Sequence, residues 1–167
     1  MTEEVKRNYL EINSLQDLIE GNKPSEDYSL SLINPINFQL NKFFYKNIGK
    51  KHKWVDRLTW SEEKWINYVS SKNVNSYVLK NKDELVGFFE LIFHSENSET
   101  EIAYFGILEE YQNKKLGSFL LSEAIKKSFL DNTKRVWVHT CSLDHKNALS
   151  NYISRGMKIF KSEILNI

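Results

Sequence analysis

From Gln112 to Gly117 the chain reads Gln-Asn-Lys-Lys-Leu-Gly, a polar turn with two lysines and a closing glycine. A glycine there lets a ligand approach the backbone with no side chain in the way. If a helix opens at this turn, its first N–H groups lack intrahelical partners and its dipole adds partial positive charge, so that end attracts phosphate. With Lys114 and Lys115 alongside, a pyrophosphate would meet backbone donors and ammonium groups together.

Two other groupings carry reactive residue types. His139 and Cys141 fall on one face of an alternating segment, which suits a thiol nucleophile and its base. A lone cysteine in a strand is more often a packing residue, and Cys141 is read that way, with His139 kept as an alternative base or substrate contact. His52, His94, His139 and His145 lack the spacing of zinc ligands, so no metal site is expected. The segment Lys50 to Leu58 sets Trp54, Asp56 and Arg57 in one loop. Such a loop either lines an acceptor site, or packs Trp54 beneath itself while Asp56 and Arg57 pair locally.

These side chains need elements to place them. Glu99 to Ile107 alternates as a strand, with Glu99, Glu101, Ala103, Phe105 and Ile107 on one face and Thr100, Ile102 and Tyr104 on the other. Leu116, Leu120 and Ala124, beside Leu121, Ile125 and Phe129, make the i, i+4 stripe of a helix that opens at the polar turn. Val74 to Leu79 and Leu85 to Phe93 flank the turn Asn81-Lys82-Asp83, a hairpin that continues through Ser95-Glu96-Asn97-Ser98 into the Glu99 strand. Arg135 to Cys141 is a further strand. Asp144 is placed to cap a helix with Ala148, Leu149, Tyr152 and Ile153 on one face, Gly156 stops it, and Met157 to Ile164 is the last strand.

Ahead of the hairpin, Tyr28 to Ile33 reads as the first strand of the main sheet. Asn34-Pro35 reads as a helix start, with Ile36, Leu40, Phe43 and Phe44 inward and Gly49 at its end, and Ser61 caps a second helix with Trp65, Ile66 and Val69 inward. Val5 to Ile12 reads as a short strand and Leu15 to Ile19 as a helical turn. Residues 1–27 are expected as an N-terminal extension packed on a single domain spanning residues 1–167.

A chain of 167 residues that is 41% hydrophobic supports one domain with a proper core. Its formal charge is +1 and its lysines are spread among acids, so no basic stripe marks a nucleic-acid partner. One cysteine leaves no internal disulfide and fits a reducing compartment. No apolar run is long enough for a membrane span, and the start Met-Thr-Glu-Glu is unlike a secretory signal, so a cytoplasmic location without membrane partners is expected.

The turn Gln112 to Gly117 at a strand-to-helix junction resembles the acyl-CoA-binding signature of the GNAT superfamily of N-acetyltransferases, Gln/Arg-x-x-Gly-x-Gly/Ala. Gln112 and Gly117 match, and Lys115 stands at the family's first glycine. Asn147-Ala148-x-x-x-Tyr152-x-x-x-Gly156-Met157 resembles the other GNAT signature, with Met157 in place of Phe and His145 where the family often has Asn. The resemblance covers Val74 to Ile164. Val138 to His145, with Trp54 to Arg57, looks like an uncharacterised bacterial subgroup, which implies no particular substrate.

The resemblance implies an α/β (α+β) GNAT fold, a twisted, mostly antiparallel mixed sheet with helices on both faces, whose central strand and following strand splay to admit pantetheine. It implies transfer of an acetyl group from acetyl-CoA to a primary amine, on a small molecule or peptide, by direct attack in a ternary complex. Glu101, eleven residues before Gln112, is then the expected base and Tyr152 the acid toward the departing thiolate. Phe105, Gly106, Ile107, Gln112, Asn113, Lys114, Lys115, Leu116, Gly117, Ser118, Asn147 and Tyr152 are the expected cofactor contacts. Trp54, Asp56, Arg57 and Glu90 are the expected acceptor contacts. Lys115 either crowds the phosphates or swings out to pair with one, and the second is expected. A non-catalytic acyl-CoA-binding module is the alternative function, an interaction protein using residues 50–60 is a third, and a homodimer stays open.

Overall fold

The computed structural model describes residues 3–130 and 132–166. At its centre β3 (Val74–Asn81), β4 (Glu84–His94) and β5 (Glu99–Ile107) form the expected antiparallel meander. From Val86 to Leu91 every residue of β4 is buried, because helices cover both sides of the sheet there. Phe88 enters a core with Phe44, Ile48 and Val78, while Phe89 and Leu91 enter another with Leu120, Leu121 and Ile125.

Those two cores are supplied by α1 (Phe38–Gly49) and α3 (Leu116–Ser128); α2 is Glu62–Ser70 and α4 is Ala148–Ser154. Helix α1 starts later than the sequence suggests: Asn37 caps it by accepting from the Leu40 N–H, and the Asn34–Pro35 bond is cis in the lead-in loop. Its buried face is Asn41, Phe44, Tyr45 and Ile48, leaving the expected inward residues Ile36 and Phe43 exposed. Ser61 caps α2 as expected, with Trp65 and Val69 inside and Ile66 outside. In α4 the cap position belongs to Asn147, not Asp144; Asp144 turns back to accept from the Cys141 N–H and the Thr140 hydroxyl, and Ile153 is exposed. Gly156 follows at φ +103°, where a side chain would also collide with the Asp17 carbonyl.

The sheet runs β2-β3-β4-β5-β6-β1-β7, with β1 at Glu4–Ile12, β2 at Tyr28–Leu32, β6 at Arg135–Cys141 and β7 at Lys158–Asn166. The expectation of an N-terminal extension is corrected for residues 4–12. They lie inside the sheet, antiparallel to both β6 and β7, with Leu10 and Ile12 buried, and β2 takes the edge instead. Strand pairing across more than a hundred residues leaves no local trace in the sequence.

One irregularity in β5 changes the site. The register passes from Glu90 opposite Tyr104 to Leu91 opposite Ile102, so Ala103 is an extra residue, a β-bulge. Ile102, Phe105 and Ile107 therefore share the α3 side, whereas Tyr104 joins the α1 side. Glu101, opposite in sense to Ile102, belongs with Tyr104 rather than with Phe105 and Ile107, which corrects the simple alternation. No helix among the described residues is long and apolar enough to cross a membrane.

Candidate active site

Strands β5 and β6 are parallel and paired only from Glu99–Arg135 to Glu101–Trp137. Beyond that point they part around a cleft of about 1150 Å³. Residues 101–107 with Val138, His139 and Cys141 form its inner walls, the opening of α3 and much of α4 one end, and the loop after α1 the other.

At the α3 end the turn is held by two left-handed residues, Asn113 at φ +65° and Lys115 at φ +63°. The latter explains why a glycine suits the Lys115 position: left-handed backbone is costly for an L side chain and free for glycine. Lys115 is the N-cap of α3 and no side chain caps the helix, so its opening amides point outward with the dipole behind them. Gln112, expected at the cofactor, turns inward and donates to the Ile107 carbonyl at 3.2 Å, bracing the turn against β5. Leu116 is buried, Ser118 donates to the Lys115 carbonyl, and Lys114 lies exposed near the Tyr111 ring. A side chain on Gly117 would meet only the Asn151 amide, at 3.6 Å, and that amide donates to the Gly117 carbonyl, tying α4 to α3.

The N-terminal loop also reaches this end, which the sequence did not reveal. The Gly21 N–H donates to Ser122 at 2.7 Å, and the absence of a side chain lets Gly21 pack on Ser118, bringing Glu20, Gly21 and Asn22 to the cleft lip. Arg155 lines the same region. Asn147, an expected cofactor contact, sits exposed at the rim.

Midway, Tyr152 is buried on α4 with its ring 6.4 Å from that of Phe105. Among the described residues its hydroxyl has no hydrogen-bond partner. Burial, reinforced by the charge of Asp144, pushes this phenol well above its ordinary value, so it keeps its proton. Phe105, Gly106 and Ile107 line the cleft beside it.

On the other side of the sheet stand Glu101 and His139. Glu101 accepts from His94, Oε1 to Nε2 3.1 Å, a partner the sequence did not single out because the two meet only across the β4–β5 turn. His139 stacks obliquely on Tyr9 at 5.6 Å. Desolvation, then the charge of Arg7, lowers its affinity for a proton, so the neutral imidazole is favoured. Burial raises the Cys141 thiol, which fits a packing residue rather than a nucleophile. Among the described residues no group of three or more His, Cys, Asp or Glu is placed to hold a metal.

The acceptor loop is built differently from either sequence reading. Asp56 is exposed at the cleft rim and makes no ion pair with Arg57. Arg57 instead turns inward to Glu90 at 2.9 Å, with its guanidinium near the rings of Tyr45, Trp60, Trp65, Tyr68 and Tyr104. Burial works against that charge, but Glu90 outweighs it and the guanidinium is held more firmly protonated than usual. Glu90 is fully buried, accepts also from Asn41 and Tyr68, and is absent from the cleft wall, so its expected acceptor contact is corrected to a structural one. Trp54 packs on Tyr104 at 4.8 Å and over Gly49, whose missing side chain makes the room. It still contributes an edge to the cleft.

Solved structures share this architecture. A GCN5-related N-acetyltransferase from Sphaerobacter thermophilus is 14% identical with a TM-score of 0.74, over 99% of this chain and 52% of its own. One from Kribbella flavida is 13% identical with a TM-score of 0.69, over 96% and 57%. An aminoglycoside acetyltransferase from an uncultured soil metagenomic sample is 12% identical with a TM-score of 0.65, over 78% and 88%. The chain thus spans little more than half the length of the first two. No curated protein matches it. Residues 38–157 match the model described as the Acetyltransferase (GNAT) family, and with the parted strands, the α3 turn and Tyr152 in place, the chain belongs to that family.

Proposed function

We propose that this chain transfers an acetyl group from acetyl-CoA to a primary amine, carried on a small molecule or a peptide, by direct attack in a ternary complex. The observation that carries the reading is the parting of β5 and β6 beyond Glu101–Trp137, with an uncapped helix start at one end of the gap and a carboxylate at the other. The diphosphate of the coenzyme would meet the opening amides of α3, with Lys114 and Lys115 free to approach from solvent.

In water an amine is protonated at neutral pH, so a proton must leave before its lone pair can attack. Glu101 takes that proton. The amine nitrogen then bonds to the thioester carbon, and the carbonyl oxygen gathers charge against a backbone N–H of the Phe105 to Ile107 segment. Collapse breaks the C–S bond; Tyr152, kept protonated by burial, donates to the departing sulfur, and the second proton of the attacking nitrogen, shed as the amide forms, restores the phenol. His139, neutral and in the same cleft, is the second candidate base. A single thiol, Cys141, suits a cytoplasmic setting.

Calorimetry with CoA, followed by release of free thiol from acetyl-CoA with tyramine, spermidine and a lysine-containing tripeptide, tests this. Binding and amine-dependent thiol release are expected. Binding with no release beyond the amine-free rate supports a non-catalytic module, which the strained Lys115 at the helix mouth favours. No binding refutes both.

A further inference from the structure

Glu101 is held by one neighbour in particular, and its place in the fold suggests a function for that contact. His94 ends β4, and its Nε2 lies 3.1 Å from Glu101 Oε1. The imidazole stacks on Trp137, centroids 6.1 Å apart and planes 22° from parallel; Trp137 is the residue that faces Glu101 in the last pair before the strands part. At its other edge, Nδ1 lies 3.7 Å from the exposed Glu96 carboxylate. The ring is therefore held on one face by Trp137 and at Nε2 by the Glu101 contact, with an exposed carboxylate nearby at Nδ1.

Other groups are less available to hold Glu101. Arg135, the cation facing Glu99 two residues before Glu101, is taken by Glu99 at 2.7 Å and Glu11 at 3.4 Å. Tyr9, Asn97, Phe160 and Lys161 complete a recess of about 300 Å³ that His94, Glu96, Glu99, Arg135 and Trp137 also line, separate from the large cleft. Glu101 belongs to the cleft and His94 to the recess, so the contact crosses the wall between them. Among the described residues no group hydrogen-bonds the second oxygen of Glu101.

Resting on the base role proposed for Glu101, we infer that His94 is its positioning residue: the imidazole holds Oε1 from behind and leaves Oε2 to receive the proton of the acceptor amine. A glutamate carboxylate on three free torsions visits several rotamers, and the proton transfer needs one of them. Holding it beforehand removes that search from the barrier. Histidine suits the place because a donor on a rigid ring, clamped by Trp137, cannot follow the carboxylate if it swings.

The test compares His94→Leu, His94→Asn and His94→Gln, since only the glutamine amide extends to the position of Nε2. With the first amine of the panel to be turned over, His94→Leu and His94→Asn are expected to lose about tenfold or more in kcat with KM for both substrates within about twofold, while His94→Gln recovers to within about threefold of the parent. Crystals of His94→Leu should show Glu101 in more than one rotamer and those of His94→Gln a single one, a reading that needs no acceptor. CoA affinity equal to the parent's confirms that each variant is folded. Parental kcat in His94→Leu, equal loss in all three, or one unmoved Glu101 rotamer in His94→Leu overturns the inference. Glu101→Gln separates the two ideas: full activity there sinks the base, whereas an inactive Glu101→Gln beside a fully active His94→Leu sinks only the role of His94.

Discussion

Glu101 on β5 faces Trp137 on β6 in the last pair that the two strands make, and past this pair each strand goes its own way. Two residues after Glu101 comes the bulge at Ala103, which turns Phe105 and Ile107 toward α3 and leaves Glu101 and Tyr104 on the α1 side. The gap joins the two faces of the sheet. In the proposed reaction a thioester arm would enter from the α3 side and the amine from the α1 side, with backbone polar groups along the parted strands pairing with the arm's amides.

Lys115→Gly removes a lysine from left-handed backbone at φ +63°. The steric relief is offset in part by the larger entropy of glycine in the unfolded chain, so a gain of about 0.5–1 kcal/mol is expected in urea unfolding. CoA affinity distinguishes the two sequence readings of this residue. Weaker binding whose deficit shrinks at high salt shows that the ammonium pairs with phosphate, and tighter binding at every salt concentration shows that it crowded the site.

Tyr152→Phe deletes a hydroxyl that has no partner among the described residues. Stability should change by less than about 0.5 kcal/mol, because no internal hydrogen bond is lost. Its kcat should fall by about tenfold to a hundredfold if the phenol protonates the thiolate. Steady-state kinetics alongside thermal unfolding reads both, and an unchanged kcat removes Tyr152 from the chemistry.

Arg57→Ala leaves the Glu90 carboxyl fully buried and without its cation. Loss of one partner from such a pair costs about 3–5 kcal/mol. The five rings around the guanidinium also lose their filling, so denaturant unfolding is expected to show a severely destabilised protein. Asp56→Asn, one residue away but exposed, should unfold within about 0.5 kcal/mol of the parent. Equal stability of Arg57→Ala and Asp56→Asn would contradict the buried pair.

His139 and His145 both have lowered proton affinity, His139 through desolvation and Arg7, His145 through desolvation and then His52 and Lys146. As pH falls through the ordinary histidine value of 6.5, the unfolded chain takes up protons before the folded one does. Stability is therefore fully present above that value and declines below it. Urea midpoints at about pH 7.5 and 5.5 should show the decline, and His139→Gln combined with His145→Gln should flatten it. A parental slope in the double variant rules these two residues out as its source.

Much of this protein is legible in short stretches because the information is local. The hairpin and meander through Glu99, the helix stripe from Leu116, the Ser61 cap and the stop at Gly156 follow from periodicity and capping chemistry, which act over a few residues. The same locality misled at Asn34-Pro35 and Asp144, where a plausible cap stood near the real one at Asn37 or Asn147. A cap is chosen by where the helix packs, and the sequence alone does not state that.

The amino-acid sequence by itself determined the family signatures and the strand-turn-helix around Gln112, and through the resemblance it nominated Glu101 and Tyr152 as base and acid. Tertiary structure alone decided that β1 sits between β6 and β7, that Arg57 buries itself against Glu90 instead of pairing with Asp56, that Gln112 braces β5, and that His94 reaches Glu101. The reason is physical. Propensity and periodicity are set by neighbours along the chain, whereas strand register, a bulge and a buried charge are set by groups that only folding brings together.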